Sequence, residues 1–411
     1  MPKLLIIGFV WPEPKSSAAG SRMMQLMQLF LNEGYTITFA SPCAKSEKAV
    51  NLKDFNVDSV AIELNHSSFD DFVSALKPDV VLFDRFMMEE QFGWRVAEQC
   101  PEALRILDTE DLHCLRKGRA QAVKDNKPFD NSYLFRDIAK REIASIYRCD
   151  FSLIISKAEM ALLTNAFKVP EQLLHYLPFL MDAISEDEQN ALPRFNEREH
   201  FVTIGNFLHP PNLDAVKYLK ESIWPNIRAQ LKTAELHVYG AYVNDKIKQY
   251  DDKKNGFYIK GFAENVNEVM QKARVCLSPL RFGAGLKGKF FDAMHNGTPF
   301  ITTSIGAEGI VDANDNHAFV TDSVDEMVNH AAALYQDEIL WQQQQQFGFH
   351  LLADKFNKKV HERKFLNQLE EALANKDRNR LQNFTGAMLN FHTMQSTKYM
   401  SRWIEAKNSN S

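Results

Sequence analysis

"PLRFGAGLKGKFFDAMHNGTPFITT", residues 279–303, decides how the rest of the chain is read. Three glycines (Gly283, Gly285, Gly288) and two lysines (Lys287, Lys289) share seven positions, and a helical stretch and a short apolar run follow. Glycine inside a helix or strand costs roughly 0.5–1 kcal/mol relative to alanine, so this density marks a loop that needs bare backbone. A loop opening onto a helix start presents free N–H groups that favour an anion. Lysines in that first turn oppose the helix dipole by roughly 0.3–1 kcal/mol each, and a bound anion would reverse the cost. The plainer alternative is a surface ion pair between Lys289 and Asp292, three residues apart. Residues 283–289 also fit the letters GxxxxGK, yet Phe290 stands where Ser or Thr would meet magnesium, and the loop follows a late strand. An anion site is expected here, not a magnesium NTPase site.

Outward from this loop, two halves repeat one grammar. "LLIIGFV", "TITFAS", "VVLFD", "RILDT" and "FSLIIS" are short apolar runs separated by helical patterns. The first helix begins with Ser21 as its cap, carries Met24, Met27 and Leu31 at helical spacing, and stops at Gly34. Strands apolar on both faces and separated by helices predict a doubly wound parallel sheet. "DAISEDEQNALPRFNEREH" is polar and acidic and reads as a linker. The grammar then restarts with "FVTIG", "ELHVYG", "FYIKGF", "VCLSPL", "FITT" and "AFVT" as strands. The fold class is α/β, two doubly wound Rossmann-like domains facing across a cleft, with ligands at the carboxyl ends of the strands. The boundaries expected are 1–181, a linker at 182–199, a second domain at 200–375 and a helical tail at 376–411.

Composition narrows the function classes. At 411 residues two domains are the default, and a net charge of −5 gives no support to a nucleic-acid binder. The five cysteines are scattered without CxxC spacing, which reads as reduced thiols with no zinc site. "MPKLLIIGFVW" imitates a signal peptide, but its apolar run is short and the first sheet needs it as a strand. The sequons at Asn65, Asn296 and Asn383 are then chance matches. Residues 376–411 carry six basic side chains against two acids, with Leu381, Phe384, Met388 and Phe391 at helical spacing. A tail docked on the body is expected, and a basic amphipathic helix on an anionic membrane is the alternative.

The longer segment "SPLRFGAGLKGKFFDAMHNGTPFITTSIGAEGI" resembles the donor-site segment of GT-B glycosyltransferases, specifically the large retaining family four (glycosyl transferases group 1). "TIGNFLHPPNLDAVKYL" is similar to the start of that family's second domain, and "GFVWPEPKSSAAGSRMMQLMQLFLNEGYTITFASP" to its first strand, loop and helix. The resemblance covers nearly all of residues 1–370. It implies a first domain on the acceptor side and a second on the nucleotide-sugar donor side. The activity it implies is metal-independent transfer of a sugar, hexosyltransferase-like and with retention, to a glycan, lipid-linked or small-molecule acceptor. No cofactor is expected, since the nucleotide sugar is the substrate; polysaccharide biosynthesis in the cytoplasm, at the inner membrane face if the tail binds lipid, is the setting. An epimerase on the same fold and a non-catalytic glycan- or nucleotide-binding subunit are the alternatives.

Position by position, the resemblance implies that Asp292 holds the ribose hydroxyls and that Lys287, with Lys289, neutralises the diphosphate. Arg281 and the loop amides of Phe282, Gly283, Ala284 and Gly285 would face phosphate or sugar. Gly205 and Asn206 would approach from the neighbouring loop, and Gly20 would close over the donor from the first domain. In "LDTEDLHCLRKGR", residues 107–119, His113 would meet the transferred sugar, with Asp108 and Asp111 orienting it or meeting the acceptor. Asp111 as a simple helix cap is the structural alternative. Three departures stand out. The second acid of the family's pair is Asp, the first has no counterpart (Ala284), and "NFLH" replaces the usual Arg and Lys after Gly205.

Overall fold

The structure, a computed structural model, describes residues 1–312, 315 and 319–409, with only the backbone helix described at 392–394 and 409. The first sheet holds seven parallel strands: β1 (Lys3–Ile7), β2 (Thr36–Ser41), β3 (Val57–Ala61), β4 (Val80–Asp84), β5 (Leu104–Asp108), β6 (Phe151–Ile154) and β7 (Leu174–Tyr176). Their order is β3-β2-β1-β4-β5-β6-β7, so the crossover reverses beside β1. The second sheet has five parallel strands: β8 (Glu199–Ile204), β9 (Leu236–Tyr239), β10 (Phe257–Gly261), β11 (Ala273–Ser278) and β12 (Phe300–Thr302). It runs β10-β9-β8-β11-β12, the same reversal, which leaves a crevice at the carboxyl ends of β8 and β11.

Local chemistry explains the elements. Leu4 to Ile7 are buried on both faces because helices cover both sides of the sheet. The helix Ala18–Asn32 is capped by Ser17 rather than Ser21: the Ser17 hydroxyl accepts the Gly20 N–H at 3.1 Å, so the helix starts about one turn earlier than expected. It ends at Gly34, whose φ of +75° suits a residue without a Cβ. Further on, the helix from Pro210 passes through one π turn at Leu219–Ile223 before Pro225, which cannot donate to the preceding turn.

Three other sequence expectations change. "AFVT" forms no strand among the described residues: Val320 makes a single bridge to Thr302, and Ala318 lies outside them. Two edge strands, β3 and β7, join the first sheet unannounced. The second domain also ends before 375. Met181 pairs with Asn357, and from there the helix Lys358–Gln382 lies on the first sheet. His361, Phe365, Leu369 and Ala372 form its buried face at spacings of four, four and three. Phe365 meets the Phe30 ring edge-on at 5.6 Å. The second domain is thus enclosed between two segments of the first.

The tail helix Phe384–Ser409 docks on the first domain, through largely polar contacts rather than over apolar body surface. Just before it, Arg380 grips Asp150 with Nε–Oδ1 at 2.7 Å and Nη2–Oδ2 at 2.8 Å. Asn383 donates to the Tyr147 carbonyl at 2.7 Å, Lys398 pairs with Glu98, and Arg95 donates to the Ser401 hydroxyl at 3.1 Å. Among the described residues no helix is long and apolar enough to cross a membrane. Phe365→Ala should cost about 3–5 kcal/mol as a core truncation. Removing residues 384–411 loses hydrogen bonds worth only about 0.5–1.5 kcal/mol each. Thermal melts should therefore place Phe365→Ala below the truncated chain; the reverse order would mean that the tail covers a core.

Candidate active site

The glycine loop leaves β11 at Ser278 and feeds the helix Gly288–His295, whose N-cap is Lys287 with no side chain capping it. Gly285 has φ +63°, and a Cβ there would meet the Asp111 Cβ at 2.8 Å, so bare backbone is required on both counts. Lys287 turns inward, 8% exposed, and its Nζ donates to the Gly285 carbonyl at 2.8 Å. Lys289 donates to Asn212 Oδ1 at 2.9 Å and to the Ser278 hydroxyl at 3.1 Å. Burial pulls both ammonium groups down to about 8. Asp292, one turn on, is pushed up to about 7 by burial against the pull of Lys289. Since Lys289 is held by neutral oxygens, the surface ion pair is not what these residues form.

The neighbouring loop holds this arrangement. Asn206 uses its Oδ1 to accept the Leu208 N–H at 2.8 Å and its carbonyl to accept from Asn212 Nδ2 at 2.9 Å. A Cβ on Gly205 would strike the Asn212 side chain at 2.5 Å. Gly205 and Asn206 thus place Asn212, and Asn212 places Lys289. Sequence reasoning passed over His209, the last letter of "NFLH". It lies among Arg116, Asp111 and Lys289, and burial, aided by Arg116, lowers it to about 4. Its signal was its position, in the loop where the family places cations.

Arg281 corrects its assignment. It pairs with Asp214 (Nε–Oδ2 2.8 Å) and lies over the Tyr218 ring at 4.9 Å, exposed and committed to a surface contact. Phe282, Gly283 and Ala284 are buried, and Gly283 offers its carbonyl, which accepts from Arg119 Nη1 at 2.9 Å.

On the first domain, Asp108 is fully buried at the end of β5. The Arg22 guanidinium holds both its oxygens, with Nε at 3.1 Å from each and Nη2 at 2.8 Å from Oδ1. A third Arg22 donor, Nη1, reaches the Leu177 carbonyl at 2.8 Å, so Asp108 ties helix to sheet and does not line the cleft. Gly20 likewise packs inward: a Cβ would meet the Glu13 backbone at 2.4 Å. It lets the first helix start close to its own loop.

His113 and Asp111 do stand at the cleft. His113 opens the helix His113–Lys124. Its N–H and that of Cys114 donate to Glu142 at 2.8 and 2.9 Å, and the Leu112 N–H donates to Glu159 at 2.8 Å. These two distant carboxylates do the capping, so Asp111 is not the helix cap. Burial holds the imidazole neutral, at about 3, against the opposing pull of Asp111, whose Oδ1 lies 3.6 Å from Nε2. Burial would raise Asp111, but the Arg116 guanidinium (Nε–Oδ2 2.7 Å), His113 and His209 outweigh it and bring it to about 2.

The two sides meet. Glu159, wholly buried in the first domain, accepts the Gly285 N–H at 2.9 Å, and burial lifts it to about 8. Arg119 forks onto Glu308 of the second domain at 2.7 and 2.6 Å. Farther out, Tyr242 donates to Glu13 at 2.8 Å. Glu159, Arg119 and Glu308 were not singled out from the sequence. Among the described residues no group of three or more His, Cys, Asp and Glu is placed to hold a metal ion.

Two Rossmann-like domains with this strand order, closing a glycine–lysine loop against the first domain, define a GT-B fold. Residues 198–337 match the family model described as glycosyl transferases group 1. An uncharacterized 44.6 kDa protein in the cps region of Klebsiella pneumoniae is 25% identical over 215 residues, 47% of this chain and 52% of that protein. The match thus spans about half of that curated relative. Sucrose-phosphate synthase of Thermosynechococcus elongatus superposes with a TM-score of 0.68 at 13% identity, covering 91% of this chain and 100% of the other. HepE of Anabaena, solved with UDP-glucose, gives 0.67 at 10% identity, covering 90% and 100%. S. aureus TarM, in complex with fondaparinux, alpha-GlcNAc-glycerol and UDP, gives 0.56 at 14% identity over 73% of this chain and 57% of that chain. At these identities the structures speak to fold.

Proposed function

We propose that the protein is a glycosyltransferase moving a sugar from a nucleotide-sugar donor to a glycan, lipid-linked or small-molecule acceptor, with retention. The observation that carries this is the meeting of Lys287, Lys289 and Asp292 with His113 and Asp111 across one cleft, in a chain whose second domain has the family's signature. HepE was solved with UDP-glucose, which supports a sugar nucleotide as donor.

In this reading Lys287, Lys289 and the uncapped amides of Gly288–His295 take the charge that develops on the leaving diphosphate. Asp292 receives the ribose hydroxyls. Neutral His113 offers a nitrogen to the sugar without adding a cation beside an oxocarbenium-like centre. No protein nucleophile is named, and the leaving diphosphate accepts the acceptor's proton. Lysines and amides supply the charge that a metal would otherwise supply. Transfer assays with a panel of sugar nucleotides test the reading. Nucleotide binding without transfer or hydrolysis would favour a binding subunit, a reading that Ala284 in place of the first acid supports.

Two outcomes follow from the site. His113→Ala should leave diphosphate binding within a few-fold of the parent and lower kcat by about 10²–10³, the scale for removing one transition-state contact. Steady-state kinetics beside calorimetry separate the two effects, and an unchanged kcat would remove His113 from the reaction. The second outcome is a pH dependence. Burial holds both lysines at about 8, and a bound diphosphate stabilises their charged forms. Binding then takes up protons above pH 8, so affinity falls as pH rises. Between pH 7 and 9 the loss should be about 10-fold for one lysine and about 100-fold for both. Calorimetry in buffers of different ionisation enthalpy measures the uptake directly.

A further inference from the structure

The tail helix docks the wrong way round for an ordinary surface helix. Its inner face presents Gly386, Asn390, Lys398, Ser401 and Glu405 to the first domain. Glu405 is the sole acid on this helix, and it turns inward to accept the Ser67 N–H at 2.9 Å. The outer face carries Phe384, Met388, Tyr399, Met400 and Trp403, all exposed. From Phe384 to Trp403 this ridge runs about 28 Å along the axis. Arg402 and Lys407 stand beside it, and the Lys407 ammonium lies 5.4 Å from the Trp403 ring.

We propose that this ridge binds an anionic lipid surface, with the helix lying in the plane of the headgroups. Two observations select lipid over a second protein. The charge beside the ridge is uniformly positive, because the one acid of the helix points away. The aromatic residues at the Trp403 end are Tyr and Trp, which pair an apolar ring with a polar tip and suit the depth of the headgroups. Among the described residues this helix is too polar to insert across a bilayer. The inference does not need the transferase reading, and either can fail alone.

The molecule contains its own reporter. Trp403 is 60% exposed, whereas Trp11, Trp94, Trp224 and Trp341 are 4% or less. Mixing the full chain with phosphatidylglycerol-containing vesicles should shift its emission to the blue, and Trp403→Phe should abolish the shift while leaving binding. In co-sedimentation, Tyr399→Ser with Trp403→Ser should lower the bound fraction on the order of tenfold, and pure phosphatidylcholine vesicles should bind weakly. The double variant should keep the parent melting temperature, since both side chains face away from the body. Parent protein that ignores anionic vesicles, or a double variant that binds as well as the parent, overturns the proposal. So does a concentration-dependent dimer in sedimentation velocity that the double variant dissolves while lipid binding is absent, for then a second copy covers the ridge.

Discussion

Gly285→Val should reduce turnover by more than about 100-fold, the scale on which an ångström of misplacement matters in a closed site. Two separate costs fall on this position. Its φ of +63° is strained for any branched side chain, by roughly 1–2 kcal/mol. The new Cβ would also press on the Asp111 Cβ at 2.8 Å and the Glu110 carbonyl at 3.3 Å, both in the other domain. The hydrogen bond from Gly285 to Glu159 is then lost as the cleft is held open. Gly34→Val is the matched control: φ is also positive, at +75°, but nothing lies within 4 Å of its Cβ. That variant should lose stability and keep kcat/KM. Should Gly285→Val turn over like the parent, the closed arrangement described here is not the one in which chemistry occurs.

Lys287→Met should weaken nucleoside-diphosphate binding by about 10- to 150-fold, the equivalent of one charge-assisted hydrogen bond at about 1.5–3 kcal/mol. The sequence places Lys287 in the first turn of a helix, where alanine would be the ordinary substitution. The structure buries Lys287 between the domains, so methionine is the better test because it fills the same space. Calorimetry with nucleoside and nucleoside diphosphate side by side reads the effect: the nucleoside should bind both proteins alike. The variant should also lose one lysine's share of the decline above pH 8. A diphosphate affinity equal to the parent's would end the phosphate assignment at this residue.

The sheet-forming runs were legible wherever a strand is buried on both faces, as "LLII" and "VVLF" are. β3 was not, because Asp58 and Ser59 sit on a half-exposed edge and break the apolar run, and β7 has only three residues. At the site, the glycine loop could be read because its composition is costly without a purpose. Asp108 misled because an acid at a strand's carboxyl end looks the same in one dimension whether it faces the cleft or an arginine 86 positions earlier. Glu159 carried no local signal at all. Its importance comes from meeting Gly285, 126 residues away, and only the folded chain brings the two together. Helix 358–382 was divided at 375 by its charge, although its buried spacing of His361, Phe365, Leu369 and Ala372 runs unbroken onto the first sheet.

That return of the chain has a further consequence. The polypeptide leaves the first domain at Met181 and re-enters it at Asn357, and the two crossings are stitched together: the Met181 N–H donates to the Phe356 carbonyl at 3.0 Å, and the Lys358 N–H to the Met181 carbonyl at 2.8 Å. The second domain is therefore a cassette set into a discontinuous host, and its entry and exit lie side by side like the two ends of a permitted domain insertion. Exchanging this cassette between relatives requires two joints, but both fall at one place on the surface of the host. A lineage could replace this cassette wholesale while its host domain and tail helix stayed the same.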